Sequence, residues 1–307
     1  MTLAPGRSRR TSPRRDAAPA IRGLMVVVVL ASAVACMPAS WGAGALLHPS
    51  RRPLTTPRPA DAEEVVVRSG DLRLFGWRLS AAGPRRGTLV YLHGSADNRA
   101  SGLSIAERFR RRGFDAVLFD SRAHGESEGD ACTYGYHEKR DLARIVDTLG
   151  KGPVVAFGVS LGGAVALQAA AEDRRISAVV AVAPFSDIRT VARERAPSVA
   201  SQANIDAAFR LAEQQAHFVA DDVSPARAAG QIRVPVLLVH GEDDHETPPA
   251  HSQRIFEGLT SDKRLVLVPG AGHLDALTPG VWQIIEDWID RVLPMATKAS
   301  DERRPIS

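Results

Sequence analysis

The chain of 307 residues contains only two cysteines, Cys36 and Cys132, in unrelated contexts. A disulfide-stapled scaffold is thereby excluded, and no Cys/His cluster has the spacing of a zinc site. Acidic residues are nearly missing from the first 59 positions, which hold nine arginines, no lysine and the single Asp16, a formal +8. Against a net +4 for the whole chain, the remainder carries −4. The basic character belongs to the N-terminal tail, and the mildly acidic body lacks the electrostatic footprint of a nucleic-acid partner. Internal repeats are absent, as is low-complexity sequence beyond that tail. Charge of either sign is missing from Gly23 to Leu47, a run of 25 residues that as a helix would extend roughly 37 Å and could cross a bilayer.

The uncharged run divides the N-terminal part. Residues 1–22, rich in Arg, Pro and Ser, have a disordered composition. Their six arginines predict a cytoplasmic N-terminus and an exported, extracytoplasmic body. The segment 23–47 reads as a retained anchor or as a signal, in preference to a buried core helix, because it follows a charged tail and precedes a proline-rich stretch. Ala33-Val34-Ala35 is an A-x-A cleavage site, and with Cys36 it resembles a lipoprotein box with Ala33 in place of the usual Leu. Residues 48–61, rich in proline, read as a semi-rigid spacer that lifts a domain from a membrane. The body is expected over 62–295, followed by a disordered tail at 296–307.

From Ala62 the pattern changes. Two strands meet at a turn, Ser69-Gly70-Asp71. Apolar runs ending near His93, Asp120, Ser160, Pro184, Gly241 and Pro269 then alternate with helical spacing over residues 98–112, 137–149, 161–171, 249–259 and 279–292. Alternation of this kind implies right-handed crossovers and a mainly parallel, eight-stranded sheet with helices on both faces. The runs lack in/out alternation, as strands buried on both faces should. Residues 186–231 break the rhythm with two or three helices interrupted at Pro197 and Pro225. That length suits a small helical lid.

In open α/β sheets the functional groups collect at the carboxyl ends of the strands. Those ends carry Ser160 within "GVSLGG", the pair Asp243 and Asp244 within "HGEDDHETP", and His273 after "PGAG". Serine, acid and histidine fall on one rim in that chain order. A serine hydroxyl needs a base within hydrogen-bond reach, oriented by a carboxylate, to act as a nucleophile.

With "YLHGSADN", "FDSRAHGESEG", "GVSLGG", "PVLLVHGEDDHETPP" and "LVLVPGAGH" in register over residues 63–293, the chain resembles serine hydrolases of the α/β-hydrolase superfamily. It is similar to their prolyl-oligopeptidase-like, serine-aminopeptidase-like and Bem46-like groups. The resemblance implies Ser160 as nucleophile and His273 as general base. Its pattern G-x-x-D-x-x-V-P, aligned on Gly241 and Pro248, selects Asp244 over Asp243. It implies backbone N–H groups of Ser95 and Leu161 as an oxyanion hole. Asp120 and His124 would form a structural loop beneath the site. Glu242, His245, Glu246, His137, His217 and His251 read as surface or lid residues. The expected activity is hydrolysis of a carboxylic ester through an acyl-serine, with no metal or organic cofactor. The alternatives are a peptidase or aminopeptidase on short peptides, an acyl transferase, and a non-catalytic scaffold that binds a ligand. A small-molecule ester or short peptide is the expected substrate, and a membrane is the expected partner of the N-terminal segment.

Overall fold

Eight strands build one sheet in the computed structural model, which describes residues 38–295. They are β1 (Ala62–Ser69), β2 (Leu72–Leu79), β3 (Gly87–Leu92), β4 (Phe114–Phe119), β5 (Val154–Val159), β6 (Ile176–Val182), β7 (Val236–Gly241) and β8 (Lys263–Val268). Their order is β1-β2-β4-β3-β5-β6-β7-β8. β2 runs antiparallel to both of its neighbours, and the other pairs are parallel. The tight turn between β1 and β2 passes through Gly70 at φ 59°, where a side chain would be strained.

The central strands carry the runs without alternation because both of their faces are covered. Every residue of β3 is buried. Val90 and Leu92 enter the apolar core on one side of the sheet, while Leu89 and Tyr91 enter the core on the other. The second core is closed by α2 (Leu103–Arg111) and α9 (Pro279–Val292), the first by α3 (Glu138–Asp147) and α4 (Leu161–Glu172). α2 shows how charge density and burial coexist: Ile105, Ala106 and Phe109 are buried, while Arg108, Arg110 and Arg111 gather in the last turn, with Arg108 over the Trp282 ring. α9 starts where the Thr278 hydroxyl accepts from Val281 N–H, with Pro279 in the first turn.

The interruption between β6 and β7 is helical: α5 (Ile188–Arg195), α6 (Gln202–Ala216) and the short α7 (Pro225–Ala229). Pro197 lies between α5 and α6, and Pro225 opens α7. Helix α8 (Ala250–Gly258) completes the order before β8.

The N-terminal boundary differs from the sequence reading. The last nine residues of the uncharged run form α1 (Ala39–Leu47), which packs on α6 as part of the domain. Ala43 and Leu47 are buried in the core. Burial of a leucine contributes about 1.5–3 kcal/mol. A Cβ on Gly42 would stand 2.7 Å from Ala208 Cβ, so glycine sets how closely the two helices approach. The end of α1 is tied down by Cys132 N–H to Leu47 O at 2.8 Å and by Tyr134 Oη to Leu46 O at 2.8 Å. The proline-rich stretch after it is docked as well. Arg51 donates to Ser127 O at 2.7 Å and Gly129 O at 2.5 Å, and Leu54 packs on the core. The spacer of the sequence reading is thus a strap along the body, held by arginine donors and loop carbonyls. Among the described residues no helix is long and apolar enough to cross a membrane. The Ala33–Cys36 box and the tails 1–22 and 296–307 lie outside the described residues.

Candidate active site

Ser160 stands at the junction of β5 and α4 with φ 52° and ψ −114°, a backbone conformation that is costly for any residue with a side chain. The turn is fixed by Ser160 N–H to Val182 O at 2.7 Å. It is compressed by two glycines. A Cβ on Gly158 would lie 2.2 Å from the Gly162 carbonyl carbon, and one on Gly162 would lie 2.1 Å from Leu92 O. The strained turn projects the hydroxyl from the top of the sheet.

His273, in the loop between β8 and α9, places Nε2 3.0 Å from Ser160 Oγ. Its Nδ1 is 2.6 Å from Asp244 Oδ2, in the loop after β7. A carboxylate only accepts, so Nδ1 bears the proton and Nε2 is free to accept the serine proton. The structure therefore brings Ser160, Asp244 and His273 into one hydrogen-bonded chain. Asp243 is exposed and takes no part in it; its N–H donates to Ala271 O at 3.0 Å.

The Asp244 carboxyl is buried, which alone would push its pKa up. Hydrogen bonds from His240, His273 and the Thr247 N–H outweigh burial and hold it well below the usual carboxylate range. It therefore stays charged at neutral pH. Oδ1 accepts from the N–H groups of Glu246 at 2.9 Å and Thr247 at 2.8 Å.

His240 is a contributor that the sequence reading missed. Its Nε2 lies 2.7 Å from Thr247 O and 3.2 Å from Asp244 Oδ2. Both are acceptors, so Nε2 carries a proton shared between them. Its Nδ1 meets Ser252 Oγ at 2.7 Å. The only sequence signal was a histidine at the carboxyl end of a buried strand.

The amides expected to form an oxyanion hole flank Ser160. Leu161 N–H opens α4, where a helix leaves its first amides unpaired. Ser95 follows Gly94, on which a Cβ would come 3.6 Å from Ser160 Cβ. Neither amide has an acceptor among the described residues. Two free donors beside a nucleophile can stabilise negative charge developing on a carbonyl oxygen.

Beside His93, at the end of β4, lies the loop of Asp120 and His124. Asp120 is fully buried and accepts from the backbone and guanidinium of Arg99 and from Glu126 N–H at 2.8 Å. Arg99 lies over the Trp77 ring at 4.8 Å. His93 donates from Nδ1 to Gly94 O at 2.7 Å and accepts Ser121 N–H at Nε2. It thereby anchors the strand end that presents Ser95. His124 packs edge-on against His93. Burial and that neighbour lower its pKa to about 4.

His251 corrects the sequence reading, which placed it on the surface. It is completely buried. Nδ1 accepts Ser186 N–H at 2.9 Å and lies 2.8 Å from Ser186 Oγ, while Nε2 meets Glu194 Oε2 at 2.6 Å. These residues resemble a triad but Ser186 is itself fully buried, so no substrate reaches it. They join α5 to α8. One residue further on, Arg195 donates to Glu246 O at 2.9 Å and Thr247 Oγ1 at 2.6 Å, which clasps the lid to the Asp244 loop. His137 also turns inward, with Nε2 3.1 Å from Ala216 O, and His217 ends α6 in the left-handed conformation.

A cavity of about 490 Å³ opens between α1, α5 and α6, and Ser95 is among its lining residues. Its walls are mainly apolar, and Arg195 is the only charged residue that lines it among the described residues. No group of His, Cys, Asp and Glu among the described residues could hold a metal.

Comparison with known proteins agrees with this architecture. A family model described as the alpha/beta hydrolase fold matches residues 87–229, and one described as serine aminopeptidase matches residues 224–275. The chain is 29% identical over 235 residues to the uncharacterized protein YfhR of Escherichia coli K12, spanning 72% of this chain and 77% of that one. The Pyrococcus furiosus esterase Pf2001 superposes with a TM-score of 0.64 at 22% identity, covering 81% of this chain and 98% of its own. Acetyl xylan esterase 1 from Thermoanaerobacterium gives 0.60 at 18% identity, covering 83% and 92%. At such identities these two structures bear on the fold alone.

Proposed function

We propose that this chain, which belongs to the α/β-hydrolase superfamily, hydrolyses carboxylic esters through an acyl-serine intermediate. The observation that carries the reading is the chain Ser160 Oγ, His273 Nε2, His273 Nδ1, Asp244 Oδ2, with steps of 3.0 and 2.6 Å. Ser160 Oγ attacks the carbonyl carbon as its proton passes to His273 Nε2. The imidazolium so formed is paired with the Asp244 carboxylate. The oxyanion accepts hydrogen bonds from Ser95 and Leu161 N–H. Collapse breaks the bond to the alcohol, which leaves with the proton from His273. A water then enters, gives a proton to His273 and attacks the acyl carbon. Ser160 departs with that proton and the carboxylic acid is released.

The match to the serine aminopeptidase description supports a second reading, cleavage of short peptides. An aminopeptidase needs an anion to receive the substrate's ammonium group. The cavity at Ser95 offers Arg195 and no carboxylate among the described residues, which favours esters. Assay of p-nitrophenyl esters beside aminoacyl p-nitroanilides separates the two. Ester turnover that disappears in Ser160→Ala supports the proposal, whereas turnover of the anilides alone replaces it with the peptidase.

Location forms part of the same proposal. Six arginines before an uncharged run support export of the body. With α1 inside the domain, 16 uncharged residues, 23–38, precede it. That length is short of the ~20 residues of a spanning helix and is enough to hold the ~7–15-residue apolar core of a signal. Protease added to intact spheroplasts should reach the domain, and a fully protected domain would contradict export.

A further inference from the structure

The cavity adjoins the candidate reaction centre through Ser95. Ser95 is among its lining residues, and Ser95 N–H is the donor assigned to the oxyanion. His273 does not line it. The leaving alcohol has to sit against His273 Nε2, because that atom delivers its proton. A group that extends past Ser95, away from His273, is therefore attached to the carbonyl carbon and belongs to the acyl half of the ester.

The walls have the chemistry of an acyl chain. Ala45 on α1, Ile188 and Ala192 on α5, and Ile205 and Phe209 on α6 contribute apolar surface. The guanidinium of Arg195 is turned to Glu246 O and Thr247 Oγ1. At about 490 Å³ the space falls within the ~300–1,000 Å³ usual for small-molecule sites. A short acetyl group would leave most of it unfilled.

We infer that this cavity is an acyl-chain subsite, and that the substrate is an ester of a linear, medium-chain aliphatic acid held between α1 and the lid helices α5 and α6. The inference rests on the esterase reading and adds two things to it: which half of the ester is recognised, and α1 as a specificity wall. Each methylene buried contributes about fourfold in kcat/KM, equivalent to ~0.8 kcal/mol.

The test uses the full chain with two ester series: p-nitrophenyl acetate, butyrate, hexanoate and octanoate, and the acetates of ethanol, butanol and octanol. The acyl series should climb steeply in kcat/KM and the alcohol series should stay flat. Ala45→Phe fills the cavity from α1 and Ala192→Phe fills it from α5. Each should lower the octanoate-to-acetate ratio more than tenfold, and the two substitutions report independently should one variant fail to fold. A flat acyl series, a steep alcohol series, or a ratio untouched by either folded variant overturns the assignment. No turnover in either series, with Ser160 still labelled by a fluorophosphonate, overturns the esterase reading and this inference together.

Discussion

Replacement of Asp244 by asparagine preserves shape and removes charge, and the surrounding hydrogen bonds dictate how the site responds. Oδ1 accepts two backbone N–H groups, from Glu246 and Thr247. An amide oxygen can serve both, while an amide NH2 can serve neither. The Asn oxygen is therefore pinned to that side, and its NH2 faces His273 Nδ1 and His240 Nε2, both of which now bear protons. His273 avoids a donor–donor clash only by moving its proton to Nε2. In that tautomer it donates toward Ser160 and cannot take the serine proton. The expected loss in kcat is about 10⁴-fold, the size seen when a triad imidazole is held in the wrong tautomer. Initial rates with a p-nitrophenyl ester measure it, with circular dichroism to confirm folding. Asp243→Asn should alter kcat less than twofold, since that side chain is exposed and outside the chain of bonds. A loss below tenfold for Asp244→Asn, or an equal loss for Asp243→Asn, would refute the reasoning.

Ser160→Gly should abolish turnover while raising Tm by about 2–4 °C, because it relieves roughly 1 kcal/mol of strain at φ 52°; a lower Tm in thermal melts would show that the turn is not strained. His124 adds a pH dependence to stability. Its folded pKa is depressed from 6.5 to about 4 by burial first and His93 next, so the unfolded chain takes the proton first as pH falls. The stability it contributes is complete above about pH 6.5 and is lost as pH drops toward 4. Urea midpoints across this window should fall less steeply for His124→Asn than for the unmodified chain, and parallel slopes would remove His124 as a cause.

How much of this was legible in the sequence depended on where the partners lie. The strands, the turn at Gly70 and the helices followed from local apolar spacing. Ser160, Asp244 and His273 were legible because each follows the carboxyl end of a strand in a mainly parallel sheet, and topology alone brings such ends to one rim. The set Ser186, Glu194 and His251 was not: its members come from the lid and from α8, and only tertiary packing joins them. His240 was hidden for a different reason, since a histidine at a strand end has no pattern that announces a bond to the neighbouring acid loop. The N-terminal boundary was misplaced because "ASWGAGALL" carries no charge, and hydropathy does not distinguish a helix packed on α6 from one packed on lipid. The strap after it was misread because proline composition predicts stiffness but says nothing of the carbonyls that Arg51 finds.

The central claim is that Ser160 is the activated nucleophile. The unmodified protein and Ser160→Ala should be treated with a fluorophosphonate, and the modified residue located by peptide mass spectrometry. The account predicts one adduct per chain, on Ser160, and none in Ser160→Ala. An adduct on another serine, or equal labelling of both proteins, would contradict it.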